Sequence, residues 1–115
     1  MSPKHIRPKA REIWTVFEGE KIRPVLIIND GLSVVDVDIL FAKITSQPAR
    51  NKYDIPIEDW EASNLNAPSI VRTTKLSYVH YFQCKRKIGE LSPVDFKKVI
   101  AAIKEYLALP LSDLE

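Results

Sequence analysis

The run "VLII", Val25–Ile28, is apolar at both parities, and it limits what the chain can fold into more than any other stretch. Alternate side chains of a strand point to opposite faces, so Leu26 and Ile28 need cover on one side, Val25 and Ile27 on the other. A chain of 115 residues builds one core of useful size. A strand buried on both faces then calls for a helix against one face and something else against the other. A second copy of the chain is the expected second cover, which points to a homodimer.

One helix is well marked. Ser92 can cap it, Pro93 fits its first position, and Asp95 stands three residues after the cap. Phe96, Val99, Ile100, Ile103 and Leu107 then form a one-sided apolar stripe, with Lys97, Lys98, Lys104 and Glu105 on the other side and Pro110 as the stop. Upstream, "EIWTVF", "IRPVLIIN", "VDVDILFAKITS", "YDIPI" and "PSIVRTTKLSYV" read as strands, and "HYFQC" as a further one. "EGEK" and "NDGLS" read as turns, and "EDWEAS" as one helical turn stopped by Asn64. Pro24 cannot donate to a ladder and belongs at the start of its strand or on an edge. The expected organisation is a basic arm over 1–10, one domain over 11–109 with its helix at about 92–108, and a tail over 110–115. The expected architecture is a small, strongly curved antiparallel sheet or barrel with a helix packed on it.

Bulk properties exclude several classes. A net charge of +2, from 17 basic and 15 acidic residues, does not by itself indicate a nucleic-acid partner. Cys84 is the only cysteine, so an internal disulfide is impossible and a reducing cytoplasm is the natural setting. No apolar run is long enough to span a membrane, and the basic N-terminus lacks the apolar segment of a secretion signal. No His, Cys or carboxylate cluster has metal spacing, so neither a metal nor a cofactor is expected.

The strongest candidate site follows from a hairpin. If strands 2 and 3 pair in a register centred on Val34, Ile27 meets Phe41, Leu26 meets Ala42, and Arg23 meets Thr45. Arg23 then stands beside a hydroxyl, with Ser46 and Gln47 adjacent. A forked cation with a hydroxyl donor suits a phosphate, although exposed residues on neighbouring strands commonly meet this way without a function. "CKRKIG" would lie near Arg72 and Lys75 if the strands carrying them pair, and Tyr78, Tyr81 and Phe82 could stack bases there. Arg50 and Lys52 could reach a flanking phosphate; loops of that kind are more often only solvated. His80 among aromatics, Trp60 and Cys84 read as structural.

At these residues the sequence resembles the MazF/PemK family of toxin endoribonucleases. "EIW", "RPVLIIND", "AKITSQ", "PSIVRTTKL" and "KIGELS" match its segments in order, from about Glu12 to Leu107. The resemblance implies a mainly β fold with a C-terminal α-helix, an SH3-like barrel of the MazF/CcdB type that dimerises. It also implies metal-independent cleavage of single-stranded RNA, leaving a 2′,3′-cyclic phosphate and a 5′-hydroxyl, and a cognate antitoxin as partner. The family's active-site arginine and threonine fall on Arg23 and Thr45. Glu20 corresponds to the glutamate of the family's first loop, which is shorter here, and Arg72 to a basic residue of some members. Two positions depart from the pattern: Thr74 stands where a carboxylate is found, and Arg11 replaces a glycine before Glu12. Ser46, Gln47, Thr74 and Lys75 complete the expected substrate-binding set. The alternative is a non-catalytic SH3-like toxin or module that binds a protein target or RNA without cutting it.

Overall fold

In a computed structural model, residues 7–29 and 38–114 are described. The strands are β1 (Glu12–Glu18), β2 (Lys21–Ile27), β3 (Asp38–Thr45), β4 (Asp54–Pro56), β5 (Ile70–His80) and β6 (Cys84–Glu90), followed by helix α1 (Pro93–Ala108). They form one antiparallel sheet in the order β4-β5-β3-β2-β1-β6. The fold class expected from the sequence, mainly β with a C-terminal helix, is the one observed. The "NDGLS" turn beyond Asn29, the start of the third strand and the first six residues lie outside the described residues.

The double-sided burial of β2 is met in full. Leu26 joins Ile13, Ala42, Ile44 and Val71 beneath Val99 and Ile103 of α1, with Ile28 packed alongside. Val25 and Ile27 belong to a separate cluster with Trp14, Val16, Ile39, Phe41 and Cys84, and Val79 and Tyr81 pack against it. The sheet curls so that residues from both of its flanks close on this second face. A second copy of the chain is therefore not needed to bury Val25 and Ile27, which corrects the sequence argument for that cover.

Other expectations change for local reasons. "HYFQC" is not a strand: Tyr81–Gln83 form a 3-10 turn, in which the His80 imidazole accepts from the Phe82 amide and the Gln83 side chain accepts from the His80 amide. "CKRKIGE" is strand β6 and pairs with β1, so its cations do not lie beside Arg72 and Lys75 through strand pairing. The Ser92 hydroxyl caps α1 by accepting from the Asp95 amide. The Asp95 carboxylate does not return the bond to the cap; it is buried and accepts from the Asp59 amide in the turn before β5. Leu107 is 60% exposed, so the apolar stripe ends at Ile103. Beyond Ala108 the chain continues as a 3-10 helix, Leu109–Asp113. Pro24 sits inside β2, but the β2–β3 pairing runs only from Ile27 to Val25, so at Pro24 only β1 is a ladder partner.

Arg11 has φ of 79°, a backbone state that glycine adopts freely and other residues at a cost of about 1–2 kcal/mol. The position is held from both sides: the Arg11 amide donates to Ile27 O at 2.9 Å, and its carbonyl accepts from the Leu91 amide at 2.8 Å.

The turn over 58–64 docks against β6. Ser63 N–H donates to Asp59 O, Asn64 takes φ of 65°, and Asn64 Nδ2 donates to Ile88 O at 2.7 Å. Gly89 makes the approach possible, because a Cβ there would lie 2.1 Å from the Ser63 carbonyl oxygen. A backbone atom cannot yield as a flexible side chain can. Gly89→Ala is expected to lower stability by about 2–3 kcal/mol in chemical denaturation, with proteolytic cleavage rising within residues 58–66.

Candidate phosphate site at the end of the sheet

The predicted hairpin register is observed: Ile27 pairs with Phe41, Leu26 with Ala42 and Val25 with Lys43. Continued by two residues, it sets Arg23 opposite Thr45 beyond the end of the ladder. Both residues line two cavities at this end of the sheet, of about 820 Å3 and about 330 Å3. Among the described residues the Arg23 guanidinium has neither a hydrogen bond nor an ion pair. Thr45 Oγ1 accepts from the Gln47 amide at 3.2 Å, which leaves its own proton free for a ligand. A fixed cation and a hydroxyl donor thus share an open notch, a composition that fits a phosphate.

The larger cavity is bounded by Thr15, Arg23, Thr45, Ser46 and Gln47, by the segment around Asn64–Asn66, and by Lys85 and Arg86. Among the described residues its walls carry three cations and no carboxylate. The smaller cavity adds Glu18, Lys43 and Arg72 to Arg23, Thr45 and Gln47. Of the residues expected at the site, Arg23, Thr45, Ser46, Gln47 and Arg72 are thereby gathered. Glu20, Thr74 and Lys75 line neither cavity. Glu20 is in the two-residue turn between β1 and β2, while Thr74 and Lys75 lie where the β3–β5 pairing jumps from Lys43–Arg72 to Ala42–Leu76.

Glu18, which no sequence motif marks, is among the described residues the one carboxylate that lines the smaller cavity, where it is ion-paired with Lys43. Its signal lies in strand pairing: β1 and β2 meet at Glu18–Lys21, so the residue before the turn is carried to the same rim as Arg23. Lys85 and Arg86 were noticed as a charge run, but not as neighbours of Arg23.

Arg72 finds its carboxylate elsewhere than at position 74. Asp54, 3% exposed, takes Arg50 through Nε at 2.9 Å and Nη2 at 3.2 Å, the Arg50 amide at 2.8 Å, and Arg72 Nη1 at 3.4 Å. Arg50 is thus tied down, and Lys52 pairs with Glu105, so neither is a free phosphate ligand. His80 caps a turn, and Trp60 packs against the core, as ordinary structural residues do. Burial pushes the Cys84 thiol up to about 11, which makes it unreactive at neutral pH. Among the described residues no group of three or more His, Cys, Asp or Glu is placed to hold a metal ion, and no helix is long and apolar enough to cross a membrane.

The hydrogen bond from Arg50 holds the Asp54 carboxyl below its ordinary value of 3.8, against the opposing effect of burial. Because the folded-state pKa is depressed, the stabilisation is complete above the titration of the unfolded group and fades as pH falls through the folded value. Acid unfolding should therefore steepen below about pH 4. Asp54→Asn should cost about 2 kcal/mol at neutral pH and flatten the pH dependence in that acid range, as read by denaturation midpoints.

Comparison with known proteins adds to this geometry. The family model for the PemK-like, MazF-like toxin of type II toxin–antitoxin systems matches residues 9–107. A mycobacterial endoribonuclease in complex with its cognate antitoxin superposes with a TM-score of 0.77 at 17% identity, covering 90% of this chain and 97% of that one. MazF in a MazE–MazF structure from Deinococcus radiodurans gives 0.74 at 12% identity, over 89% and 96% of the two chains. The Mycobacterium tuberculosis toxin MazF-mt6 gives 0.68 at 24% identity, over 83% and 94%. No curated protein sequence matches. At these identities the structural likeness establishes the fold.

Proposed function

Because the chain belongs to the PemK-like, MazF-like toxin family of type II toxin–antitoxin systems, we propose that it is a toxin endoribonuclease that cleaves single-stranded mRNA. The observation that carries the reading is the notch itself: an unpaired Arg23 and a proton-donating Thr45 at one rim, beside the single carboxylate Glu18.

Cleavage proceeds by attack of the substrate's own 2′-oxygen on the adjacent phosphorus. The bond to the 5′-oxygen breaks, leaving a 2′,3′-cyclic phosphate and a 5′-hydroxyl. The nucleophile belongs to the RNA, so the chemistry does not depend on a metal or a protein nucleophile. Arg23 and Thr45 donate to the phosphoryl oxygens, where negative charge gathers in the transition state. Glu18 accepts the 2′-hydroxyl proton, and its ion pair with Lys43 orients its carboxylate. The leaving 5′-oxygen takes its proton from water. Gln47 completes the rim that holds the strand, and Arg72, bonded to Asp54, lines it. The protein acts in the cytoplasm as a homodimer and is silenced by an acidic, initially disordered segment of a cognate antitoxin.

Purified protein given mixed-sequence RNA in EDTA should produce fragments with cyclic phosphate ends. Arg23→Ala should slow the reaction by about 100- to 1,000-fold, and Glu18→Gln by at least about 100-fold, with denaturation midpoints little changed. Intact RNA with the unmodified protein, together with retained RNA or antitoxin binding, would establish the non-catalytic binding module instead.

A further inference from the structure

The larger cavity contains two cations that the proposed cleavage leaves unused. β6 breaks strand regularity twice: Val16 pairs with Cys84 but Thr15 with Arg86, and Trp14 pairs with Lys87 but Ile13 with Gly89. Lys85 and Ile88 are thus the extra residues of two β-bulges. A bulge turns its strand and re-aims side chains. In a regular strand Lys85 and Arg86 would face opposite sides of the sheet, yet both line this cavity, as does Ile88.

The surroundings favour an anion. Among the described residues the Arg86 guanidinium has neither a hydrogen bond nor an ion pair, while its backbone oxygen accepts from Thr15 Oγ1 at 3.4 Å. Lys85 Nζ lies 5.0 Å from the centre of the Phe17 ring, so its charge is placed without being neutralised. Thr15 has Pro24 as its partner on one side and Arg86 on the other. The neighbour of Arg23 and Arg86 are therefore two strand spacings apart, about 10 Å between backbones. Asn64 and Asn66 also line this cavity, with Asn64 Nδ2 donating to Ile88 O.

We propose that this cavity is a second nucleotide subsite, in which Lys85 and Arg86 bind the phosphate next to the scissile one and a base lodges against Asn64 and Asn66. The assignment rests on the nuclease reading for the identity of the strand, not for the anion chemistry. An acidic peptide would meet the same cations. A roughly 820 Å3 space bordered by Gln47, Asn64 and Asn66 as well as by the cations matches a nucleobase, whose edges pair with amide groups, better than a carboxylate.

The test measures binding of a 2′-O-methyl RNA oligonucleotide, which cannot be cleaved, as a function of salt. The proteins are the unmodified chain, Lys85→Gln/Arg86→Gln, and Lys97→Gln on the exposed side of α1 as a charge control. The double variant should bind about tenfold more weakly and lose roughly 0.7 from the salt slope for each phosphate contact removed. On cleavable RNA its KM should rise with kcat preserved. Lys97→Gln should change neither. An unchanged slope in the double variant would overturn the subsite, including when only a polyglutamate peptide is bound less tightly. If the unmodified protein binds the oligonucleotide with this slope difference but never cleaves RNA, the subsite stands and the nuclease reading falls. If it cleaves RNA and the double variant matches it in KM and slope, the nuclease reading stands and the subsite falls. Failure of the unmodified protein to bind the oligonucleotide would remove both.

Discussion

Pro24 lacks the amide proton that an inner strand needs for a second ladder, and the pairing of β2 with β3 ends at the next residue, between Val25 and Lys43. Beyond that point β2 keeps only β1 as its partner, while β3 runs on to Thr45 beside β5. Two strands that would otherwise close against each other instead leave an open rim. Arg23 and Thr45 occupy it in register but outside the ladder, and the cavities on either side exist because the backbone between them is unpaired. The apolar run just behind Pro24 fixes the rim. Val25, Leu26 and Ile27 are locked into two cores at once, so Arg23 projects from one of the most constrained parts of the chain. The backbone that carries Arg23 is therefore fixed in place, while its exposed side chain keeps the rotamer freedom to turn toward a phosphate.

The sequence made the hairpin legible because hydrophobic alternation and burial determine register together. A slip of one residue in β2 would exchange the members of two distinct cores, and both cores are full. Site residues carried by that hairpin, Arg23, Thr45, Ser46 and Gln47, were therefore readable in advance. β6 was not. Its run "CKRKIGE" carries four charges, and the bulges at Lys85 and Ile88 break the two-residue period by which a strand is recognised. "HYFQC" misled for the opposite reason: its aromatics favour a strand, but the side chains of His80 and Gln83 satisfy nearby amides and turn the chain. The missing carboxylate for Arg72 was also illegible, since Asp54 reaches it from a different strand, β4. Glu18 joins the site only through the shortness of the β1–β2 turn.

Charge in this molecule is sorted by position rather than by amount. A net +2 predicts little, and several cations are spent on structure: Arg50 and Arg72 on Asp54, Arg11 on Glu90, Lys87 on Glu12 and Glu90. Arg11 also occupies a left-handed backbone position, so its guanidinium bonds to Leu91 O and Glu90 help to offset the strain of a residue that is not glycine. Arg23 and Arg86 belong to a different group, for among the described residues neither guanidinium is ion-paired and both line the larger cavity. Unpaired cations converging across a concave surface produce a local potential that the whole-chain charge conceals.

The wall facing those cations is held by one close backbone contact and by two side chains that bond to backbone. Gly89 admits the Ser63 carbonyl into contact, Asn64 bridges to Ile88 O, and Asp95 pins Asp59 from the first turn of α1. The helix therefore does more than cover the core. Its buried carboxylate anchors the turn that leads into one side of the larger cavity, while β6, which forms the other side, is bent by its bulges and held to β1. Both sides of the cavity are tied to the same short stretch, Ser63–Asn64 against Ile88–Gly89, by the close approach at Gly89 and the Asn64–Ile88 hydrogen bond. The cations on one side attract any polyanion, and the tie between the two sides limits how far the space in front of them can change.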